Sequence, residues 1–254
     1  MIVTGFVLDK IDRLLDASQH GSIPGEWLVL GGLHDRYGQQ QETTDALWRT
    51  LVADRGPDGT NTMPYYQKAF ERAVHDSEDG INSNLVESRG HPVLSEFLKR
   101  MKAVVTKRRL FKGQRMGDLG HLGLAPKDAR HGDCKFERPS ASFQPFHLTT
   151  RKGICIIKGM SVPVVLRPID AKRYTLIGEC YLHTMMDGEA IDFQEERTKA
   201  LEESRDKLQA RIVELAASPE ASPENESLLR RHRQCLEADD AELASLSTQM
   251  FELR

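Results

Sequence analysis

Long apolar runs are missing from this chain of 254 residues. No stretch approaches the roughly 20 apolar residues that a membrane helix needs, which argues against a membrane partner. The amino terminus, Met1-Ile2-Val3-Thr4-Gly5, carries neither a basic stretch nor a long apolar one, so it does not read as a secretory signal. Cysteines are few and scattered, at 134, 155, 180 and 235. No C-x-x-C pair occurs, which argues against a disulfide framework and a zinc site. An excess of one charge is also missing. The formal net charge of −3 gives no general pull toward nucleic acid or anionic lipid.

What is present fits a globular chain of one medium domain or two small ones. Hydrophobic residues make up 39% and charged residues 29%, which is polar for a folded domain but not a disordered composition. Together these features suggest a soluble cytoplasmic protein.

The apolar period changes along the chain. Phe6, Leu8 and Ile11 read as strand-like. Gly21 to Gly38 is punctuated by turn residues around a short apolar piece, Trp27-Leu28-Val29-Leu30. Thr44 or Asp45 can cap a helix burying Leu47, Trp48, Leu51 and Val52, and Arg55-Gly56-Pro57-Asp58-Gly59 ends it. A second helix starts near Pro64 with Tyr66, Phe70 and Val74 on one face, and residues 76–91 read as a loop. A third helix spans Pro92 to Val104 and buries Val93, Leu94, Phe97 and Met101. Strands follow. Arg109-Leu110-Phe111 can be a short one. Ile154–Ile157 and Val162–Leu166 flank a glycine-containing turn and form a hairpin signal. Tyr174–Leu182 reads as a further strand. The expected fold is α+β, with a small antiparallel sheet or partly closed barrel covered by helices and a C-terminal helical hairpin.

That hairpin belongs to residues 191–254, after an α+β region over 1–190. Leu201, Leu208 and Leu215 recur every seven residues, with Ile212 beside them. A second series holds Leu229, Leu236, Leu243 and Met250, with Leu246 next to it. Ser222 before Pro223 suits a helix start. The pattern is an antiparallel coiled-coil seam, used within the chain or for self-association. Phe251-Glu252-Leu253 can be a closing strand.

The run Gly178-Glu179-Cys180-Tyr181-Leu182-His183-Thr184-Met185-Met186-Asp187-Gly188-Glu189-Ala190 is distinctive. With Val162-Pro163-Val164-Val165-Leu166-Arg167-Pro168 and Tyr174-Thr175-Leu176-Ile177 it resembles the C-terminal region of fungal heterokaryon incompatibility proteins. Gly5–Ile11, Ala46–Arg55, Arg108–Phe111, Gly120–Pro126 and Gly132-Asp133 resemble further blocks in the same order, over most of residues 3–190. The resemblance implies a role in fungal non-self recognition, by protein interaction. Nothing in the sequence corresponds to the family's N-terminal death-inducing domain, so the chain looks like the back half of such a protein, a paralogue or a truncated gene product. Residues 135–153 interrupt the family pattern. They are either a tolerated surface loop or a retained intron, since codons for Cys134-Lys135-Phe136 can spell a splice donor.

Catalytic chemistry is not evident. Cys180 and His183 differ by an odd number, so on a strand they face opposite ways and make no dyad. His183, Asp187 and Glu189 lack a fourth metal ligand. Gly117–Gly123 has neither the dinucleotide nor the P-loop spacing. No catalytic, cofactor-binding or metal residue is assigned, and no cofactor. The basic run Lys99, Arg100, Lys102, Lys107, Arg108, Arg109, Lys112 and Arg115 can serve a small-barrel nucleic-acid binder, although Phe111 is its sole aromatic. The first expectation is therefore a non-enzymatic regulatory or interaction module, with protein partners such as full-length heterokaryon incompatibility relatives. The alternatives are the nucleic-acid binder and a non-functional fragment.

Overall fold

A computed structural model describes residues 1–33, 41–77, 79–82, 91–114, 121–129, 153–170, 172–217 and 223–254, without the side chains of 41–44, 223 and 224. The elements in chain order are β1 (Ile2–Ala17), α1 (Gly25–Leu30), α2 (Gln41–Leu51), α3 (Tyr65–His75), α4 (Pro92–Val105), β2 (Arg108–Gly113), β3 (Leu122–Pro126), β4 (Gly153–Ile157), β5 (Val164–Pro168), β6 (Arg173–Glu179), β7 (Tyr181–Leu182), α5 (Glu189–Ala217), α6 (Pro223–Leu246) and β8 (Gln249–Leu253).

β1 is the spine. Its 16 residues reach about 50 Å at roughly 3.3 Å each. Ile2–Gly5 pairs with β8, Gly5–Lys10 with β4, and Ile11–Ala17 with β2. Register shifts between Val7 and Asp9, Ile11 and Arg13, and Leu14 and Ala17 allow so long a strand to bend from one sheet into the next. Gly5 sits where β1 passes tightly against β4. A Cβ there would lie 2.1 Å from the Ile156 carbonyl oxygen.

Strands β1, β4, β5, β6 and β8 close into a five-stranded barrel. All its pairings are antiparallel except β6 with β8, which is parallel. All five strands contribute to its filling. Val3 and Val7, Cys155 and Ile157, Val164 and Leu166, Tyr174, and Phe251 and Leu253 form one apolar cluster. Tyr174 and Phe251 meet edge to face with ring centres 5.1 Å apart. So small a barrel is filled by side chains and encloses no lumen. Both chain ends lie at its seam, where Leu253 N–H donates to the Met1 carbonyl at 2.7 Å.

The C-terminal half of β1 continues into a second sheet with β2, β3 and β7. One face carries Leu110, Leu122, Leu124 and Tyr181 and packs on α1–α4, where Trp27, Phe70, Phe97 and Met101 are fully buried. The other carries Ile11, Phe111 and Leu182 and, together with Leu8 from the barrel part of β1, packs on the base of α5 and α6 through Ala190, Leu201 and Leu246.

Several elements differ from the sequence reading. Trp27–Leu30 belongs to a short helix, α1, because Trp27 fills the core and its indole donates to the Asp16 carbonyl at 3.1 Å. α2 begins at Gln41, so Asp45 lies inside it and accepts from the Trp48 indole at 3.2 Å. α2 ends at Leu51, before the glycine-proline turn. Val162 and Pro163 precede β5 and are not part of it. Tyr174–Leu182 is two strands that serve different sheets. Gly178, at φ 145°, and Cys180, whose N–H donates to Pro163, mark the crossing. Met250 lies in β8, outside the leucine series. Residues 135–152 of the interrupting segment, Gly117–Gly120 and Ser222 lie outside the described residues; Gly153 opens β4.

Helix α5, of 29 residues, and α6, of 24, form the C-terminal pair, about 44 and 36 Å long at 1.5 Å per residue. Leu201 and Leu246 are buried against the barrel side. Leu208, Ile212, Leu215, Leu229, Leu236 and Leu243 are only half-buried, since among the described residues each helix has little beyond the other to lean on. Arg197 Nε and Nη2 clasp Glu242 at 2.9 and 3.2 Å across the pair.

Candidate functional site

The distinctive run from Gly178 to Ala190 crosses three environments. Cys180 faces the core beneath α5 and α6 and is 3% exposed. Burial pushes its thiol up to about 12, so the reactive thiolate is suppressed at neutral pH. Tyr181 and His183 face the helical side, with the Tyr181 hydroxyl 3.4 Å from His183 Nδ1. The odd spacing thus separates Cys180 from His183, as the strand geometry requires. Asp187 is outside, beside the start of α5, where Glu189 Oε2 accepts from its backbone N–H.

Opposite this run lies the end of α2. Ala53 and Asp54 both adopt left-handed backbone, at φ 55° and 49°. Such geometry costs a non-glycine residue on the order of 1–2 kcal/mol and persists where surrounding bonds enforce it. Here the Asp54 carboxylate accepts from Arg49 Nη1 at 2.7 Å and from the Thr62 hydroxyl at 2.6 Å. Arg49 itself lies over the Trp48 ring, 4.6 Å from its centre. From α4, Arg100 Nε donates to the Val52 and Arg55 carbonyls at 3.2 and 3.1 Å. The next residue, Arg55, reaches across to clasp both carboxylate oxygens of Asp187. The turn after α2 is thereby tied to the turn before α5.

Electrostatics make this seam a latch. Burial alone would raise the Asp54 carboxyl, but the Thr62 and Arg49 donors outweigh it and hold it below the usual range. Burial pushes His183 below its ordinary value, with Arg49 and His121 adding to the effect against Asp54 and Asp45. His183 is therefore neutral at pH 7. Thr184, also left-handed at φ 64°, completes the turn. The charges pair with one another, and the imidazole is engaged by Tyr181.

A second polar pair was not read from the sequence. Asp9, at the β1 register shift, accepts from His121 Nδ1 at 2.8 Å. Its other oxygen accepts from the backbone N–H of Lys10 at 2.6 Å and of Gln114 at 3.1 Å. Gly113 makes room, since a Cβ there would lie 2.0 Å from Asp9 Oδ2. A carboxylate-oriented imidazole is the arrangement of a general base. Yet His121 Nε2 is buried and, among the described residues, has no hydrogen-bond partner, and its ring stands at 84° to that of Phe193 with centres 5.9 Å apart.

The basic run is partly consumed by structure. Arg108 donates to the Glu179 carbonyl, and Arg109 to those of Lys127 and Leu15, while Arg100 holds the α2 turn. A shallow cleft between Lys107, Arg108, Pro126, Lys127 and Gly178 retains part of the positive charge. Arg115 lies outside the described residues. Among the described residues no cluster of His, Cys, Asp and Glu is placed to hold a metal ion, and no helix is long and apolar enough to cross a membrane.

Comparison with protein-family models, curated proteins and solved structures finds no match to this chain.

Proposed function

We propose that the chain is a non-enzymatic interaction module of the cytoplasm, related to the C-terminal region of fungal heterokaryon incompatibility proteins and working through protein partners. The α5–α6 arm carries the reading. It is a long, charged two-helix element with half-buried leucines, anchored at its base by Leu201, Leu246 and β8. A shape of this kind offers surface for helix-on-helix recognition. The polar residues of the distinctive run support the same view, since Cys180 is buried and Asp187 is held by Arg55. The order of the sequence blocks supports the kinship.

The test is a binding titration of the purified chain against a purified full-length heterokaryon incompatibility protein. Micromolar or tighter binding that weakens when exposed arm residues are altered is the expected result. Absence of binding to several such proteins removes the reading. A second reading, the nucleic-acid binder, rests on the cleft beside Lys107 and Lys127. Salt-sensitive binding of a single-stranded oligonucleotide, lost on replacing those two lysines, would favour it instead.

A further inference from the structure

Helix α6 changes sign along its length. Arg230, Arg231 and Arg233 lie toward its start, and Glu237, Asp239 and Asp240 follow. At 100° per residue, Arg230, Arg233, Glu237 and Asp240 fall within a strip about 80° wide. The inward series, Leu229, His232, Leu236, Asp239 and Leu243, is half-buried on the side toward α5. The strip flanks it, with its centre about 100° further round the helix, and all four of its charged residues are exposed. Among the described residues none of the four has an ion-pair partner. The neighbouring arm charges do pair, Arg197 with Glu242 and Arg211 with Glu214.

This order is self-complementary under one operation. If a second α6 lies alongside, antiparallel, and crosses at position 235, each residue faces the one whose number completes 470. Arg230 then faces Asp240 of the second copy, and Arg233 faces Glu237. The two-fold axis repeats both contacts, giving four ion pairs over about 15 Å of helix. A parallel arrangement would instead set arginine against arginine and acid against acid, which repels. Charge patterns of this kind choose partner and orientation between helices.

We propose that the exposed face of α6 is a homodimerisation surface, taking a second copy of this chain in antiparallel, two-fold register through Arg230, Arg233, Glu237 and Asp240. The inference deepens the reading of the arm as the interaction element and rests on it.

Analytical ultracentrifugation of the full chain tests it with two variants, Arg230→Glu with Arg233→Glu and, separately, Glu237→Arg with Asp240→Arg. All eight positions in a dimer are exposed, so both variants should keep the wild-type circular dichroism. The wild type should dimerise, and its dissociation constant should rise as salt goes from about 50 to about 500 mM. Each variant alone should lose at least about tenfold in affinity, because attraction becomes repulsion. An equimolar mixture restores all four arginine–acid contacts, two in the original polarity and two reversed, and should form the heterodimer. A wild type that stays monomeric, a dimer indifferent to both variants, or a mixture that fails to associate overturns the proposal. A monomer that still binds a full-length heterokaryon incompatibility protein overturns it too, while leaving the broader interaction reading standing.

Discussion

His121 on β3's approach donates from Nδ1 to Asp9 on β1 at 2.8 Å, joining buried side chains 112 positions apart. The pair sits where β1 leaves β4 and takes up β2, so it fixes the point at which the barrel passes into the second sheet. Replacing Asp9 by Asn keeps the shape and removes the charge-assisted acceptor. It should cost about 1–3 kcal/mol, since His121 and two backbone donors are left poorly satisfied. His121→Phe should cost a similar amount. The double variant should cost less than the sum, with a coupling of about 1–3 kcal/mol. Urea unfolding of the four proteins measures it, and strict additivity would show that the two side chains do not act together.

Gly5 and Gly59 make a controlled contrast. Gly59 needs its left-handed φ of 81° but faces open space. Gly59→Ala should therefore cost about 1–2 kcal/mol from backbone strain alone. At Gly5 the obstacle is the Ile156 carbonyl, which belongs to the paired strand and cannot swing aside. Gly5→Ala should cost about 3 kcal/mol, at the upper end of overpacking. Equal losses in a denaturant titration would mean that β1 and β4 can separate more easily than their register suggests.

The depressed His183 has a pH consequence. Its folded proton affinity lies below the ordinary value of 6.5, so the unfolded chain binds the proton more readily. The stability associated with a neutral His183 is fully present above 6.5 and is lost as pH falls below it. The unfolding free energy from urea titration should drop on acidification from about pH 7.5 to about 5.5, by no more than about 1.4 kcal/mol per pH unit from this group. His183→Asn should flatten that dependence. A slope that survives the replacement assigns it to other groups.

The three cysteines of the described chain differ sharply in access. Cys155 and Cys180 are buried, and burial pushes both thiols upward, Cys180 to about 12. Cys235 is exposed. In a Cys134→Ser background, one thiol should react quickly with a maleimide at neutral pH and mass spectrometry should place it at Cys235. Cys180 should label about a thousandfold more slowly than an ordinary thiol, following its thiolate fraction. Fast labelling of Cys180 in the folded protein would reopen the enzyme reading.

Periodicity carried much of the fold. The helix over 92–105 and the strands at 153–157 and 164–168 show in the spacing of Phe97 and Met101 and in β-branched runs. What periodicity could not convey was allegiance. Tyr174 to Leu182 is continuous in β propensity, yet Gly178 turns the chain so that Tyr174 fills the barrel and Tyr181 fills the helical core. The site was less legible, because its bonds are long-range. Arg55 and Asp187 are 132 positions apart, and nothing local to Arg55 announces that contact. Asp9 did leave a trace. An acid between Leu8 and Ile11 in a strand must be exposed or paired, and His121 was the buried partner.

The arm should uncouple from the barrel. Leu208 and Leu236 are half-buried and lie beyond the part of the pair held by Leu201 and Leu246. Replacing both by Asp places charges in the seam and should cost the arm about 2–4 kcal/mol. Half-buried seam leucines leave the pair little stability to absorb that loss, so far-ultraviolet circular dichroism should fall by part of the helical signal. The barrel has its own cluster around Val164, Leu166 and Phe251, and β8 is anchored by Met1 and Tyr174. Amide hydrogens of β4 and β5 should therefore keep their protection while those of residues 205–217 and 225–238 exchange quickly. Loss of protection in β4 and β5 together with the arm would show one cooperative unit, with strand β8 transmitting the damage from α6 into the barrel.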